Sequence, residues 1–168
     1  ETDRQIKETG QQMKETDLRI KETQRIVGNL GNRLGDIAEQ LLTPGLRGKF
    51  EEFGFSFAEL NRNVEWENKS HNILLEHDAV LENGIQAMIV EVKAKLDKAD
   101  IDEQISRMEK VRRYADLKSD TRQFFCAIAA LTAPNNVIAY ALSNGFYLIM
   151  PAGEDVKVTK PTSEPRVW

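Results

Sequence analysis

Cysteine and histidine are scarce in this sequence, which has one cysteine and two histidines. A single cysteine excludes an internal disulfide, and these residues are too few to complete a structural zinc site of cysteine and histidine ligands. Cys126 lies in the apolar segment 123–131, so we expect it to be a buried strand residue. Such sparing use of cysteine is typical of a reducing compartment, and we expect a cytoplasmic protein.

Long hydrophobic runs and an excess of positive charge are also absent. No apolar run approaches the roughly 20 residues that span a bilayer, so we expect no membrane insertion. The formal net charge is −4, and a nucleic-acid-binding surface would therefore be a local basic patch. The chain begins at Glu1 instead of a methionine, from which we expect that a further segment precedes it in the full-length protein.

The 168 residues are 40% apolar and 30% charged, which predicts one globular domain with an extension. The extension is a heptad array with the a and d positions of a coiled coil. The a series is Ile6, Met13, Ile20, Val27, Leu34 and Leu41, and the d series is Thr2, Thr9, Thr16, Thr23, Leu30 and Ile37. We predict that segment 1–42 forms a coiled-coil helix that joins a homo-oligomer, with weak association where the d residue is threonine. A solvated single helix is the alternative.

A second stripe runs along the lower part of the same helix. Gly28, Asn32, Gly35 and Glu39 are spaced four, three and four residues apart, and the glycines predict that another backbone approaches closely there. Thr-Pro-Gly at residues 43–45 then ends the helix.

Segment 43–168 alternates between strand-like and helical patterns. The predicted strands are 63–67, 72–82, 85–94, 123–131, 146–150 and 156–159, and the predicted helices are 46–53, 100–118 and 134–143. This order predicts an α/β domain in which helices flank a mixed sheet.

Charged residues converge on a hairpin in this domain. Glu91 and Lys93 are two residues apart on an apolar strand, so their side chains share one face. Asn-Gly at residues 83–84 predicts a two-residue turn. The expected pairs are Glu82 with Ile85, Asp78 with Ile89 and Glu76 with Glu91. Asp78 would then lie diagonal to Glu91, roughly 5–8 Å away between Cβ atoms.

Two carboxylates at that separation can hold one Mg²⁺ or Mn²⁺ ion, and a neighbouring lysine can stabilise charge on a phosphate. The alternatives are structural: Asp78 as a solvated hairpin residue, and Glu91 with Lys93 as an ion pair on a strand. A slip in register would exchange the faces, and Glu76 is a spare carboxylate on the same face as Glu91.

The predicted helix 100–118 is locally basic. We expect Arg107, Lys110 and Arg113 to contact phosphates of a nucleic acid, and a solvated face with interspersed acids is the alternative. Gln104 could point toward the metal. Neither His71 nor His77 is expected to be a ligand.

An acidic residue on one strand followed by Glu-x-Lys on the next resembles the PD-(D/E)XK nuclease superfamily. Its core is a helix, a three-stranded meander, a crossover helix and further strands, in the order predicted here. Asp78 matches the first acidic position, Glu91 the second and Lys93 the lysine, while His77 stands where the motif has proline. Many members add a glutamate from the first core helix, which Glu39 matches; an exposed helix glutamate is the alternative for Glu39.

Four further segments resemble a group of uncharacterised bacterial proteins with coiled coils before this nuclease-like fold. They are Leu-Gly-Asn-Arg-Leu-Gly-Asp, Ile-Val-Glu-Val-Lys-Ala-Lys-Leu, Asp-Ile-Asp-Glu-Gln-Ile and Glu-Pro-Arg-Val-Trp. The resemblance implies a restriction-endonuclease-like domain over 43–168 that uses Mg²⁺ or Mn²⁺ to hydrolyse nucleic acid, with DNA favoured over RNA.

Two readings without catalysis stay open. One is an inactive nuclease-like scaffold that binds nucleic acid or a protein, with partner choice made by the coiled coil. The other is a structural coiled-coil protein, which would make the matched charges on the hairpin a coincidence.

Overall fold

The structure is a computed structural model that describes residues 1–30 and 32–168. The chain divides into two compact units, Glu1–Asp36 and Ile37–Trp168. The second unit begins six residues before the expected boundary at 42/43, because Ile37, Leu41 and Leu42 are buried in its core. Among the described residues, none of the helices is both long and apolar enough to cross a membrane.

The first unit is helical, as the heptads predict. Helix α1 spans Thr2–Leu41 and ends immediately before the Thr-Pro-Gly segment. The apolar a residues from Ile6 to Leu34 are open to solvent, with Ile6 65% and Val27 62% exposed, whereas the last one, Leu41, is buried. Among the described residues, a Cβ added at Gly28 or Gly35 would meet no heavy atom within 4 Å, so none of them makes the close backbone approach that the glycine stripe predicts.

The second unit is an α/β fold with a six-stranded mixed sheet, which confirms the predicted class. After α1 its elements are α2 (Leu46–Lys49), a 3₁₀ turn (Glu51–Phe53), β1 (Glu59–Asn68), β2 (Ile73–Glu82), β3 (Gln86–Lys95), α3 (Lys98–Leu117), β4 (Gln123–Thr132), α4 (Asn135–Ser143), β5 (Tyr147–Ala152) and β6 (Asp155–Thr159). The strands lie in sequence order. The β3–β4 and β4–β5 pairs are parallel, and the other three pairs are antiparallel.

Hydrophobic cores cover both faces of the sheet. On one face the strands pack under α3 and α4, where Ile101, Met108 and Val111 of α3 are buried. On the opposite face they pack against Leu46 of α2 and against Phe50, which is in edge-to-face contact with Phe55. Strand β4 is buried along almost its whole length because it lies between both layers, and Cys126 is fully buried there, as expected.

The hairpin turn lies one residue later than predicted. Asn83 pairs with Gln86, so the turn residues are Gly84 and Ile85. Neither Asn83 nor Gly84 has the left-handed backbone that a type I′ turn on Asn-Gly requires. Instead the Asn83 carboxamide oxygen accepts the N–H groups of Ile85 and Gln86, at 2.9 and 2.8 Å.

This turn changes the register of the hairpin by two positions. The observed pairs run from Glu82 with Ala87 to Ala79 with Val90, so the predicted pairs are wrong. Because the change is an even number of residues, the faces are kept. The next step of the same register puts Asp78 directly opposite Glu91 instead of diagonal to it.

Helix α3 starts on a capping box. The Asp97 carboxylate accepts the N–H of Asp100 at 2.9 Å, and the Asp100 carboxylate accepts the N–H of Asp97 at 3.0 Å. The reciprocal pair fixes where the helix begins.

Candidate metal site at a strand fork

A fork in the sheet creates the candidate site. Strands β2 and β3 pair only from Ala79 to Glu82 and from Ala87 to Val90. Beyond Ala79 and Val90, β2 continues alongside β1 alone and β3 alongside β4 alone. The two strands therefore separate at Asp78 and Glu91, and side chains from both enter the opening.

Asp78 bridges the two arms of the fork. Its Oδ2 accepts the backbone N–H of Val92 in β3 at 2.7 Å. The carboxylate thus takes the place of the strand carbonyl that the parted ladder no longer supplies. This hydrogen bond fixes the position of Asp78 next to Glu91.

The alternation of side chains between the two faces of β2 is interrupted near Asp78. Leu75 packs under α3, whereas Ala79, four residues later, packs on the opposite face, and Val80 packs under α3 again. Strict alternation would place Leu75 and Ala79 on one face, so it is broken between these two residues. The β1–β2 register skips the pair Asn63–Asp78 at this point, and Asn63 has a φ of 51°. Asparagine tolerates this left-handed backbone better than most residues, which makes the irregularity inexpensive.

Glu91 is the most perturbed acid of the site. Its side chain is 16% exposed, and its Oε2 accepts a hydrogen bond from Arg107 Nη1 at 2.9 Å. Burial, and then the negative charge of Asp78, raise the pKa of Glu91 to about 7 against the opposing effects of Arg107 and Lys93. Burial and Asp78 thus outweigh the stabilisation that Arg107 and Lys93 give to the ionised carboxylate, and a bound cation would favour that ionised form.

Lys93 lies on the same side as Glu91, under the start of α3. Its Nζ is 3.6 Å from Asp100 Oδ1, and its side chain is one-third exposed. The ion pair holds the ammonium near Glu91 while leaving part of it open to a ligand. The Glu-x-Lys face predicted from strand periodicity is thus formed.

Each carboxylate keeps one oxygen for a further ligand. Among the described residues, Asp78 Oδ1 and Glu91 Oε1 have no hydrogen-bond partner, and neither atom belongs to the buried unpaired set, so both reach solvent. Two carboxylate oxygens completed by waters and substrate phosphate are a donor set that suits Mg²⁺. The residues present therefore fit a hard divalent cation.

Glu39 is not brought into a shared site. It is an exposed residue of α1, and within residues 1–30 and 32–168 no group of three or more histidine, cysteine, aspartate or glutamate side chains is arranged to hold a metal. The candidate site therefore rests on two carboxylates, Asp78 and Glu91.

Of the three α3 residues expected to contact phosphates, two lie at one cleft and the third lies apart. Arg107 pairs with Glu91, and Lys110 lines a cleft of about 360 Å³ between β2 and α3 that Arg107 also lines. The other residues of that cleft are Leu74, Leu75, Glu76, Glu103 and Ser106. Arg113 is exposed and does not line the cleft.

Two buried polar residues adjoin the site. Gln104 donates its side-chain N–H to Cys126 Sγ at 3.5 Å, so its amide group is directed to β4. His77 is 2% exposed, and neither ring nitrogen has a partner among the described residues. Burial, and then the charge of Arg107, lower the pKa of His77 to about 4, and its ring meets Trp66 edge to face. His77 is therefore neutral near pH 7 and packs in the core against Trp66.

The sequence interpretation missed the contact between Arg107 and Glu91. A signal for it exists in the chain. Asp100 and Arg107 are seven residues apart, hence on one face of α3, and their charges oppose those of Lys93 and Glu91 on β3. Two complementary charge pairs between a helix and the strand before it could have located both contacts.

The chain matches no protein-family model, no curated protein sequence and no solved structure.

Proposed function

We propose that this protein is a Mg²⁺- or Mn²⁺-dependent nuclease of the PD-(D/E)XK type, with a restriction-endonuclease-like second unit. The observation that carries the proposal is the meeting of Asp78, Glu91 and Lys93 at the fork between β2 and β3. The order of helices and strands supports it, because a meander is followed by a crossover helix and further strands.

Each residue has a role that follows from its chemistry. Asp78 and Glu91 would bind the cation through the oxygens that no protein group occupies. A divalent cation held there would polarise a phosphodiester and acidify water. Lys93, a fixed positive charge on the same face, would stabilise the negative charge that develops on the phosphate or orient the attacking water.

The proposed substrate is nucleic acid, with DNA favoured over RNA. Arg107 and Lys110 both line the cleft between β2 and α3, and this shared position supports a phosphate-binding role for the two residues. Contact between Arg113 and nucleic acid stays a prediction. The buried position of the one cysteine is compatible with the cytoplasmic location that we propose.

A homo-oligomer joined through α1 is part of the proposal. Thr9, Thr16 and Thr23 donate their hydroxyls to the carbonyls four residues earlier, at 2.9 Å each. The threonine hydroxyls are therefore hydrogen-bonded within the helix, and the methyl groups would be free to pack in the a/d seam of a coiled coil. This reduces the penalty expected from threonine at d positions.

Mutation of either carboxylate should abolish metal binding. Glu91→Gln removes one ligand charge, and Asp78→Asn removes the other while keeping an oxygen that can accept the Val92 N–H. We expect each variant to lose calorimetric Mn²⁺ binding and to lower Mn²⁺-dependent cleavage of duplex DNA at least 100-fold, a loss of about 3 kcal/mol of transition-state stabilisation. Glu65→Gln, an exposed residue of β1, is the matched control and should cut as the wild type does.

Undiminished cleavage by Glu91→Gln would remove the nuclease proposal. The second candidate function is an inactive scaffold, favoured by the Arg107–Glu91 ion pair, which already neutralises one ligand. Absence of Mn²⁺ binding by the wild type, together with a defined oligomer by light scattering, would select that candidate.

A further inference from the structure

Arg107 lies between two environments. Its Nη1 donates to Glu91 Oε2 at 2.9 Å, while its side chain is 31% exposed and lines the cleft that contains Ser106 and Lys110. Only one guanidinium nitrogen bonds the carboxylate, so the contact is a single hydrogen bond rather than the bidentate arrangement that holds arginine most firmly. A modest rotation about the side-chain bonds would turn the group from Glu91 to the cleft.

We propose, on the basis of the proposed function, that Arg107 is the internal counter-ion of Glu91 and that divalent metal displaces it. The released guanidinium then binds a phosphate oxygen of the substrate in the cleft between β2 and α3. Arg107 is thereby a substrate-binding residue whose availability depends on the metal.

Competition for Glu91 follows from charge. A divalent cation on Glu91 brings two positive charges next to a guanidinium that carries one, and the two repel each other at contact distance. The cation is the stronger partner for a half-buried carboxylate and its neighbour Asp78. Arg107 must then find another anion or return to water.

The charge of the cleft favours binding of a phosphate only after Arg107 has left Glu91. Of its charged lining residues, Glu76 and Glu103 are acidic and Lys110 is basic, so without the Arg107 charge this wall carries one negative charge more than positive. Release of Arg107 adds a positive charge and several N–H donors of the geometry that phosphate accepts, beside Lys110 and the Ser106 hydroxyl. Metal binding and phosphate binding would therefore strengthen each other by the same factor.

The test compares Mn²⁺ affinities by calorimetry for the wild type, Arg107→Gln and Arg62→Gln. Arg62 is an exposed arginine of β1, so its variant makes the same charge change away from Glu91. We expect Arg107→Gln to bind Mn²⁺ about three- to tenfold more tightly than the wild type, because the competitor is gone. Arg62→Gln should bind Mn²⁺ as the wild type does.

A second measurement reads the coupling. A phosphorothioate duplex, which resists cleavage, is titrated by fluorescence anisotropy with Mn²⁺ and with EDTA. In the wild type and in Arg62→Gln, Mn²⁺ should raise affinity for the duplex, and in Arg107→Gln most of that increase should be lost. A merely structural Arg107 would not tighten Mn²⁺ binding while weakening the response to metal.

Equal or weaker Mn²⁺ binding by a folded Arg107→Gln would overturn the inference and leave the nuclease proposal intact. Failure of the wild type to bind Mn²⁺ at all would overturn both. Should Arg107→Gln fail to fold, the displacement is tested by NMR on the wild type. The Arg107 Nε–H resonance should shift on saturation with Mg²⁺, and an unchanged resonance would count against displacement of Arg107 from Glu91.

Discussion

Glu91 is a carboxylate whose ionisation the fold opposes. Its pKa is raised to about 7 by burial and by Asp78, whereas in the unfolded chain it would titrate near 4.5. Between these two values the folded protein holds a proton that the unfolded protein has released. Stability contributed by protonated Glu91 is therefore present below about pH 4.5 and is lost as the pH rises to about 7.

Comparison of the wild type with Glu91→Gln isolates this effect. The wild type should lose about 3 kcal/mol relative to the variant as the pH rises from 4.5 to 7, and the difference should be constant above pH 8. Urea unfolding of both proteins at pH 5, 6, 7 and 8 measures it. A difference that does not change with pH would contradict the raised pKa.

The comparison of wild type with Glu91→Gln is necessary because His77 changes the stability of the wild type with pH in the opposite direction. Its pKa falls from 6.5 to about 4 in the folded protein. Its contribution to stability is full above pH 6.5 and is lost as the pH falls toward 4. The two residues partly cancel in the wild type, whereas the direct contribution of His77 is common to wild type and Glu91→Gln and is largely removed from their difference.

Residue-level prediction from the sequence succeeded where one rule of geometry was enough. The shared face of Glu91 and Lys93 follows from the two-residue period of a strand. The Arg107–Glu91 contact needs the angle and offset of α3 over β3, which no local pattern specifies. The metal role of Glu39 stays a prediction, because it rests on resemblance alone.

Among the elements, the hairpin shows how a side chain can override a turn motif. The Asn-Gly motif predicts Asn83 as a turn residue, because Asn-Gly favours a type I′ turn. Its carboxamide instead accepts two backbone N–H groups and donates to the Ser56 carbonyl at 3.0 Å. The long-range bond to Ser56 is invisible in the sequence, and it accounts for the turn lying one residue later.

Helix α1 offers a prediction with a close control. Ile20 is an a residue and is 49% exposed, while Leu18 lies off the seam and is 67% exposed. Ile20→Asp should dissociate the oligomer, because a charge in the seam is costly to bury. Leu18→Asp should leave the mass unchanged. Light scattering at several concentrations measures both, and equal behaviour of the two variants would contradict a heptad seam.

For the whole molecule, the division into two units would separate the proposed oligomerisation helix from the proposed metal site. The unit Ile37–Trp168 contains the sheet, both of its cores and every residue of the candidate site. A chain that begins at Ile37 should unfold cooperatively, bind Mn²⁺ as the full chain does and be monomeric. Calorimetry and light scattering measure these properties, and loss of cooperative unfolding would contradict an autonomous second unit.

The order and type of the helices and strands could be predicted from the sequence better than the boundaries of the two units. Period-two and heptad patterns locate strands and the long helix, because burial imposes them directly. The start of the second unit was expected at residue 43, since Thr-Pro-Gly is the visible break. The observed start lies at Ile37, because the core extends into the last turn of α1.

The bond between Asp78 and the Val92 N–H has a consequence for lineages of this fold. If the proposed nuclease activity were lost in a descendant, an acceptor at position 78 would still be needed to close the gap between the strands, so that residue would survive for architectural reasons. Glu91 has no such second duty that outweighs its burden on stability. Retention of the costly glutamate, rather than of the aspartate, would mark a copy whose chemistry is still under selection.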